Sequence, residues 1–175
     1  VAIGVVLLPD LARKLRAGAE GEVLESQNRA LEFALFLTLP ASVALAVVAE
    51  PIIRVLYERG AFTPEATTAT AWALAAFAWG LPAFVMQKVF KPAFFAREDT
   101  KTPMRYALSS MALNIGLGAL LFFGFRALGA PGFPGLAIAT SAAAWLNVGL
   151  MIRTLTRQGD YGPTRSAYGR LARIL

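Results

Sequence analysis

AFFAREDTKTPMR, residues 93–105, places five charged side chains, Arg97, Glu98, Asp99, Lys101 and Arg105, between two long apolar runs. The run before it extends from Ala66 to Phe95, and the run after it from Pro103 to Leu128. Each exceeds the roughly 20 residues that a helix needs to cross about 30 Å of hydrocarbon. A charged turn between two such runs reads as a loop joining two membrane helices. Within it, Thr102 is expected to cap the second helix, with Pro103 at the first helical position, where a missing N–H costs little.

Outward from this loop the pattern repeats. Ala30 to Ala49 is a further apolar run, with Glu32 its single charge, and Phe133 to Ile152 is another. EPIIRVLYERGAFTPE (residues 50–65) and GAPGFPG (residues 129–135) separate them and carry turn residues. VAIGVVLLP at residues 1–9 reads as the tail of a cut helix, so the chain is expected to be a fragment of something longer. Continuous runs of this length exclude the short alternating strands of a β-barrel. The expected fold is an all-α polytopic membrane protein, a helical bundle with the end of one transmembrane helix and four complete ones.

Composition agrees. Of the 175 residues, 57% are hydrophobic and 16% charged, whereas a soluble domain carries about 25% charge. The net charge of +6 is better matched by anionic lipid headgroups than by nucleic acid. With no Cys and no His, disulfides, thiol nucleophiles, histidine bases and the usual zinc ligands are excluded. The eleven carboxylates fall in loops or near helix ends, and no paired set suited to acid–base chemistry appears. The chain is therefore expected not to be an enzyme and to hold no cofactor or catalytic metal.

Charge also sets orientation, since cytoplasmic loops are enriched in Lys and Arg. Residues 10–29 (Arg13, Lys14, Arg16, Arg29), 97–105 (Arg97, Lys101, Arg105) and 153–175 (Arg153, Arg157, Arg165, Arg170, Arg173) carry twelve of these. The alternate segments carry three, Arg54, Arg59 and Arg126. The first set is expected to face the cytoplasm, with residues 158–175 forming a cytoplasmic basic tail or linker.

Several polar groups lie within the spans. The run 66–95 is about 45 Å long as a helix, so Lys88 and Lys91 are expected near the cytoplasmic headgroups. The plainer reading is that both snorkel; the sharper one turns Lys88 inward as a contact for an anionic headgroup. Gly80-Leu81-Pro82 is a candidate kink. Ser110 and Asn114 lie one turn apart on one span, and Thr140 and Asn147 share a face of the next. Gly135, Ala139 and Ala143 form a small-residue stripe that admits a close helix neighbour. Helix–helix hydrogen bonding explains these polar groups most simply. The alternative is that Asn114 and Thr140 offer oxygens to a small hard cation. Trp72 is read as an interface anchor, and Trp79 and Trp145 as core residues.

Three ordered segments carry a resemblance: LPASVALAVVAEPIIRVLYERGAFT (39–63), GLPAFVMQKVFKPAFFAREDTKTPMRYAL (80–108) and GLAIATSAAAWLN (135–147). Together they resemble the C-terminal lobe of the MurJ/MviN family of lipid II flippases. AIGVVLLPDLARKL (2–15) is similar to the end of that family's eighth helix. The resemblance implies a two-lobe fold of the multidrug/oligosaccharidyl-lipid/polysaccharide exporter superfamily. Residues 1–157 would be the end of helix 8 and helices 9–12, with the N-terminal lobe missing. It implies that lipid II, the undecaprenyl-pyrophosphate-linked peptidoglycan precursor, moves from the cytoplasmic to the periplasmic leaflet by alternating access in the bacterial inner membrane, serving cell wall biogenesis and cell shape. It also implies a cation site, for instance for sodium, to which Asn114 and Thr140 correspond; the acidic partner one turn beyond Asn114 is Gly118 here. Arg59, within ERGAFT, is then a candidate periplasmic gate contact, or more plainly a helix C-terminal charge. The rival readings are a drug or polysaccharide exporter, and a non-transporting membrane scaffold of the cell-wall machinery.

Overall fold

The computed structural model describes residues 2–60 and 62–157, and the basic tail expected at 158–175 lies outside them. Six helices follow in order: α1 (Ala2–Arg16), α2 (Glu20–Val47), α3 (Ala49–Tyr57), α4 (Pro64–Ala96), α5 (Lys101–Ala127) and α6 (Phe133–Arg157). Four of them, α2, α4, α5 and α6, are long and apolar enough to cross a membrane. The all-α polytopic bundle read from the apolar runs is the fold observed.

Two boundaries are corrected. The stretch 10–29 is not a loop: α1 runs to Arg16, α2 starts at Glu20, and only residues 17–19 connect them. Charge did not end the helix because the charged side chains satisfy one another at helical spacing. Arg29 pairs with Glu25 at 2.9 Å, and Lys14 pairs with Asp10 at 3.0 Å while donating to Ser26 across the turn. Likewise the first half of EPIIRVLYERGAFTPE is the helix α3. Pro51 falls in its first turn, where no N–H is required. Ala49 and Ile53, one turn apart, are buried with Ala71 of α4, while Glu50 and Arg54 pair on the outward face.

The loop expected at 97–105 is shorter than that, a turn of residues 97–100 between α4 and α5, and its cap lies earlier than expected. Thr102 lies inside α5, and Pro103 is its third residue rather than its first. The capping oxygen is Asp99 Oδ1, which accepts from the Thr102 backbone N–H at 3.0 Å. These bonds from Thr102 hold the Asp99 carboxyl below the ordinary value of 3.8. A lowered carboxyl stabilises the fold above that ordinary value, and the contribution fades as pH falls through the lower folded one. Asp99→Ala should cost about 1 kcal/mol in melting experiments at pH 7, whereas Asp99→Asn, which keeps the acceptor, should cost much less. Equal losses would show that the cap is not the cause.

Before that turn α4 closes with paired bonds, Glu98 N–H to Phe95 O at 3.0 Å and Asp99 N–H to Phe94 O at 3.0 Å. α1 and α5 close in the same pattern, with Gly18 (φ 70°) and Gly129 (φ 74°) at the left-handed position. On α4 that position is Glu98, at φ 61°.

α4 is the centre of the bundle. It packs against α1, α2 and α3 on one side and α6 on the other, and α5 reaches the bundle mainly through α6. Phe90, Phe94, Val89 and Ala93 of α4 fill the core with Leu11 of α1, Val23 and Leu31 of α2, and Val148 and Met151 of α6. α4 stays helical through Gly80-Leu81-Pro82. Pro82 has no N–H, so the carbonyl of Ala78, four residues earlier, lacks its helical donor. The Ser42 hydroxyl of α2 donates to that carbonyl instead. From the other side Ser141 Oγ of α6 donates to Ala76 O at 2.7 Å, and Trp145 Nε1 to Trp79 O at 3.2 Å. Both neighbours are thus bonded to the α4 backbone around the proline. Trp79 is corrected in passing: it is 58% exposed and packs on Trp145 at the outer edge of the α4–α6 contact. Trp72 is exposed near the start of α4.

Candidate functional site

α5 and α6 form an antiparallel pair whose close approach is set by small residues. A β-carbon on Gly135 would lie 2.8 Å from Leu121 Cβ, and one on Gly132 would lie 2.7 Å from Phe122 O. One on Gly118 would lie 3.7 Å from Ala139 Cβ. The stripe Gly135, Ala139 and Ala143 is buried, and its first two members face α5. At the opposite end of the pair Tyr106 of α5 and Thr154 of α6 share a hydrogen bond.

Between these ends runs a polar seam. Asn114 and Thr140, singled out on different helices, do meet: Thr140 Oγ1 lies 3.4 Å from Asn114 Oδ1. The same hydroxyl is 2.8 Å from Leu136 O, its stronger acceptor by distance. The antiparallel register that joins Tyr106 to Thr154 and Asn114 to Thr140 places Ser110 opposite Asn147. Both are buried, and Ser110 Oγ and Asn147 Oδ1 have no hydrogen-bond partner among the described residues. Unpaired buried polar atoms carry a desolvation cost, so this layer of the seam is suited to a water or to a polar group from outside these residues.

The expected cation site fits only in part. Asn114 Oδ1 and Thr140 Oγ1 are two oxygens at a separation that one ion could bridge. A hard cation such as calcium takes six to eight oxygens, and no group of three or more acidic or imidazole side chains gathers among the described residues. Gly118 supplies no side chain, and Leu136 Cδ2 would lie 3.3 Å from a β-carbon there, so space for a carboxylate is tight. The described residues alone do not make a closed site.

The remaining candidates stand apart from the seam. Lys88 is exposed on α4, next to the buried Val89 and Phe90. Arg59 is exposed, and its Nη2 donates to Val55 O at 3.1 Å, closing the end of α3. That geometry is the helix C-terminal role weighed for it. Sequence reasoning passed over Ser42 and Ser141, whose signal was a hydroxyl on a helix flanking a proline-bearing span. It also passed over Gln27, whose buried amide lacks a partner among the described residues.

Comparison with known proteins agrees with this architecture. The family model described as "Lipid II flippase MurJ" matches residues 1–175. A probable lipid II flippase MurJ of Rhizobium meliloti (strain 1021) is 46% identical over 175 residues, which is 100% of this chain and 32% of the relative. One from Rhizobium tropici is 50% identical over 159 residues, 91% of this chain and 29% of the relative. A solved structure, "Lipid II flippase MurJ, inward closed conformation", superposes with a TM-score of 0.78 at 27% identity, covering 99% of this chain and 34% of that one. The chain thus spans about a third of the length of the relatives it matches. On the family match and the shared bundle together, this chain belongs to the lipid II flippase MurJ family.

Proposed function

We propose that this chain is the part of a lipid II flippase that forms the end of helix 8 and helices 9–12 of its C-terminal lobe. The protein containing it carries the undecaprenyl-pyrophosphate-linked peptidoglycan precursor from the cytoplasmic to the periplasmic leaflet of the bacterial inner membrane. The match of the family model across residues 1–175 carries this reading. The physical account is alternating access, in which a lobe moves as a body against the missing N-terminal lobe. The α4-centred bundle suits that motion, because both flanking helices are bonded to its backbone in the turns before Pro82, at Ala78 O and Ala76 O. The protein is a transporter, its partners are lipid II and membrane lipids, and no step is routed through a cation. Arg59 and Lys88 keep their proposed roles, Arg59 as a periplasmic gate contact and Lys88 as a headgroup contact.

The test is replacement of an essential flippase. Cells depleted of their own lipid II flippase and supplied with the full-length gene are expected to grow, to keep their shape and to expose lipid II on the periplasmic side. Growth failure at normal protein levels, with lipid II flipping intact when the gene is deleted from its own host, would remove the assignment. In the same cells single cysteines at Thr100 and Ala130 check orientation. An impermeant thiol reagent should label Ala130→Cys and spare Thr100→Cys; the reverse would invert the topology.

A further inference from the structure

α3 keeps an apolar side that the described residues leave open. Its packed side, Ala49 and Ile53, is buried with Ala71 of α4. Pro51, Val55 and Leu56 are exposed on another side, and Ile52 is half-buried. The charges stand apart from both. Glu50, Arg54 and Glu58 recur every four residues, and Arg54 pairs with both carboxylates. Arg59 is turned back onto Val55 O. The helix thus has a packed side, an open apolar side, and a charged side that is paired within itself.

Pro51 makes the break between α2 and α3, because it has no N–H for the carbonyl of Val47, four residues earlier. Val48 N–H still reaches Ala44 O at 2.9 Å, and Ile52 N–H reaches Val48 O at 3.1 Å, so the chain passes from one helix to the next without unwinding. The open side of α3 therefore continues the outward side of α2. Every exposed residue from Phe33 to Val48 is apolar. A helix side with no polar group over that length suits lipid tails rather than a wet cavity.

α4 sets the depth. Counting back about 20 residues, the thickness of the hydrocarbon, from Lys91 and Lys88 ends at Ala71 and Thr68. Trp72, exposed beside Ala71, is of the type that collects at headgroup level. α3 packs at Ala71, so it meets α4 at the edge of the hydrocarbon, in the leaflet opposite Lys88 and Lys91.

We propose that α3 is an interfacial helix. Its Pro51, Val55 and Leu56 side is seated among the acyl chains of that leaflet, and its charged side is turned to the headgroups. Residues 49–65 hold three glutamates against two arginines, so apolar contact and not attraction to anionic lipid holds the helix there. The site does not depend on which cargo the protein moves. The rival occupant is the part of the flippase that this chain does not span, which would cover the same side with protein.

Bimane fluorescence of single cysteines tests this in a cysteine-free full-length protein held in nanodiscs of dioleoylphosphatidylcholine. Each position chosen is exposed except where stated, so the label enters without disturbing the packed side. Lipid spin-labelled high on the acyl chain should quench Val55→Cys and Leu56→Cys about twofold or more and leave Glu50→Cys and Arg54→Cys nearly unchanged. Iodide in the water should do the reverse. Val43→Cys, on α2, should be quenched more by lipid labelled deep in the acyl chain. Replacing the phosphatidylcholine with dioleoylphosphatidylglycerol should leave the pattern as it is. If Val55→Cys and Leu56→Cys are protected from both quenchers, protein covers them; if only iodide reaches them, they stand in water. Either result overturns the proposal. So does a Val43→Cys that no lipid label quenches, because the continuous side shared with α2 would then not face lipid.

Discussion

Gly135→Leu is expected to remove most of the folded protein recovered in detergent. Gly135 sits where α6 crosses α5, and the atoms nearest a β-carbon there are Leu121 Cβ at 2.8 Å and the Leu121 backbone carbon at 2.9 Å. Backbone cannot rotate aside as a side-chain tip can, so the helices must separate. Overpacking of this kind costs about 1–3 kcal/mol or more. In a membrane the loss is not offset by a solvent-driven collapse, since helix association there rests on close packing and interhelical hydrogen bonds. Separation would also pull Thr140 from Asn114, so the seam opens with the contact. Gly149 is the internal control. It lies on the same helix with nothing among the described residues within 4 Å of a β-carbon, so Gly149→Leu should fold normally. Ala139→Leu should fall between them, because Ala139 is buried against Gly118 with room for little more than its methyl. Size-exclusion yield and melting temperature of the full-length protein measure all three. Normal folding of Gly135→Leu would mean that α5 and α6 do not meet as described.

Ser42→Ala is expected to destabilise the protein by about 1–2 kcal/mol, and the loss should depend on Pro82. Ser42 donates to the Ala78 carbonyl that Pro82 cannot serve. Deleting the hydroxyl leaves a buried acceptor without a donor in a medium with no water to replace it. In a Pro82→Ala background residue 82 regains an N–H, the helix satisfies its own carbonyl, and Ser42→Ala should then cost under about 0.5 kcal/mol. The double-mutant cycle isolates this dependence. Equal costs in both backgrounds would show that the serine acts through packing. Because α2 and α6 both bond to α4 around this proline, Ser42→Ala in the full-length protein should also lower flipping more than its effect on protein level explains.

The helices were legible in the sequence because the bilayer imposes a length and an exclusion of charge that few other patterns satisfy. The spans near Ala66 to Phe95 and Pro103 to Leu128 and a charged turn between them are readable from those two rules alone, though the turn proved to be residues 97–100 rather than 97–105. The small stripe of α6 was legible for a related reason, since spacing by four on an apolar helix has one geometric outcome. What lay beyond the bilayer was not legible. Glu20–Arg29 looked like loop because hydropathy ends there, yet Glu25 and Arg29 pair at helical spacing and α2 continues. α3 was hidden because a proline reads as a breaker until its place in a first turn is known. Asp99 and Thr102 are both capping residues, and only the φ and ψ of the turn choose between them.

Pairing across helices needed the tertiary structure altogether. Asn114 and Thr140 were paired only as candidate cation ligands, and their hydrogen-bonding distance follows from the antiparallel register imposed by the short α5–α6 turn. The same register brings Ser110 opposite Asn147, an arrangement no local pattern encodes. Ser42 and Pro82 lie forty residues apart, and a proline announces an orphan carbonyl without saying which neighbour will serve it. Apolar length and charge are properties of one segment, so the sequence alone determined a four-span basic membrane bundle. Hydrogen-bond partners are properties of two segments at a set distance, and only the packing of α2, α4, α5 and α6 decided them.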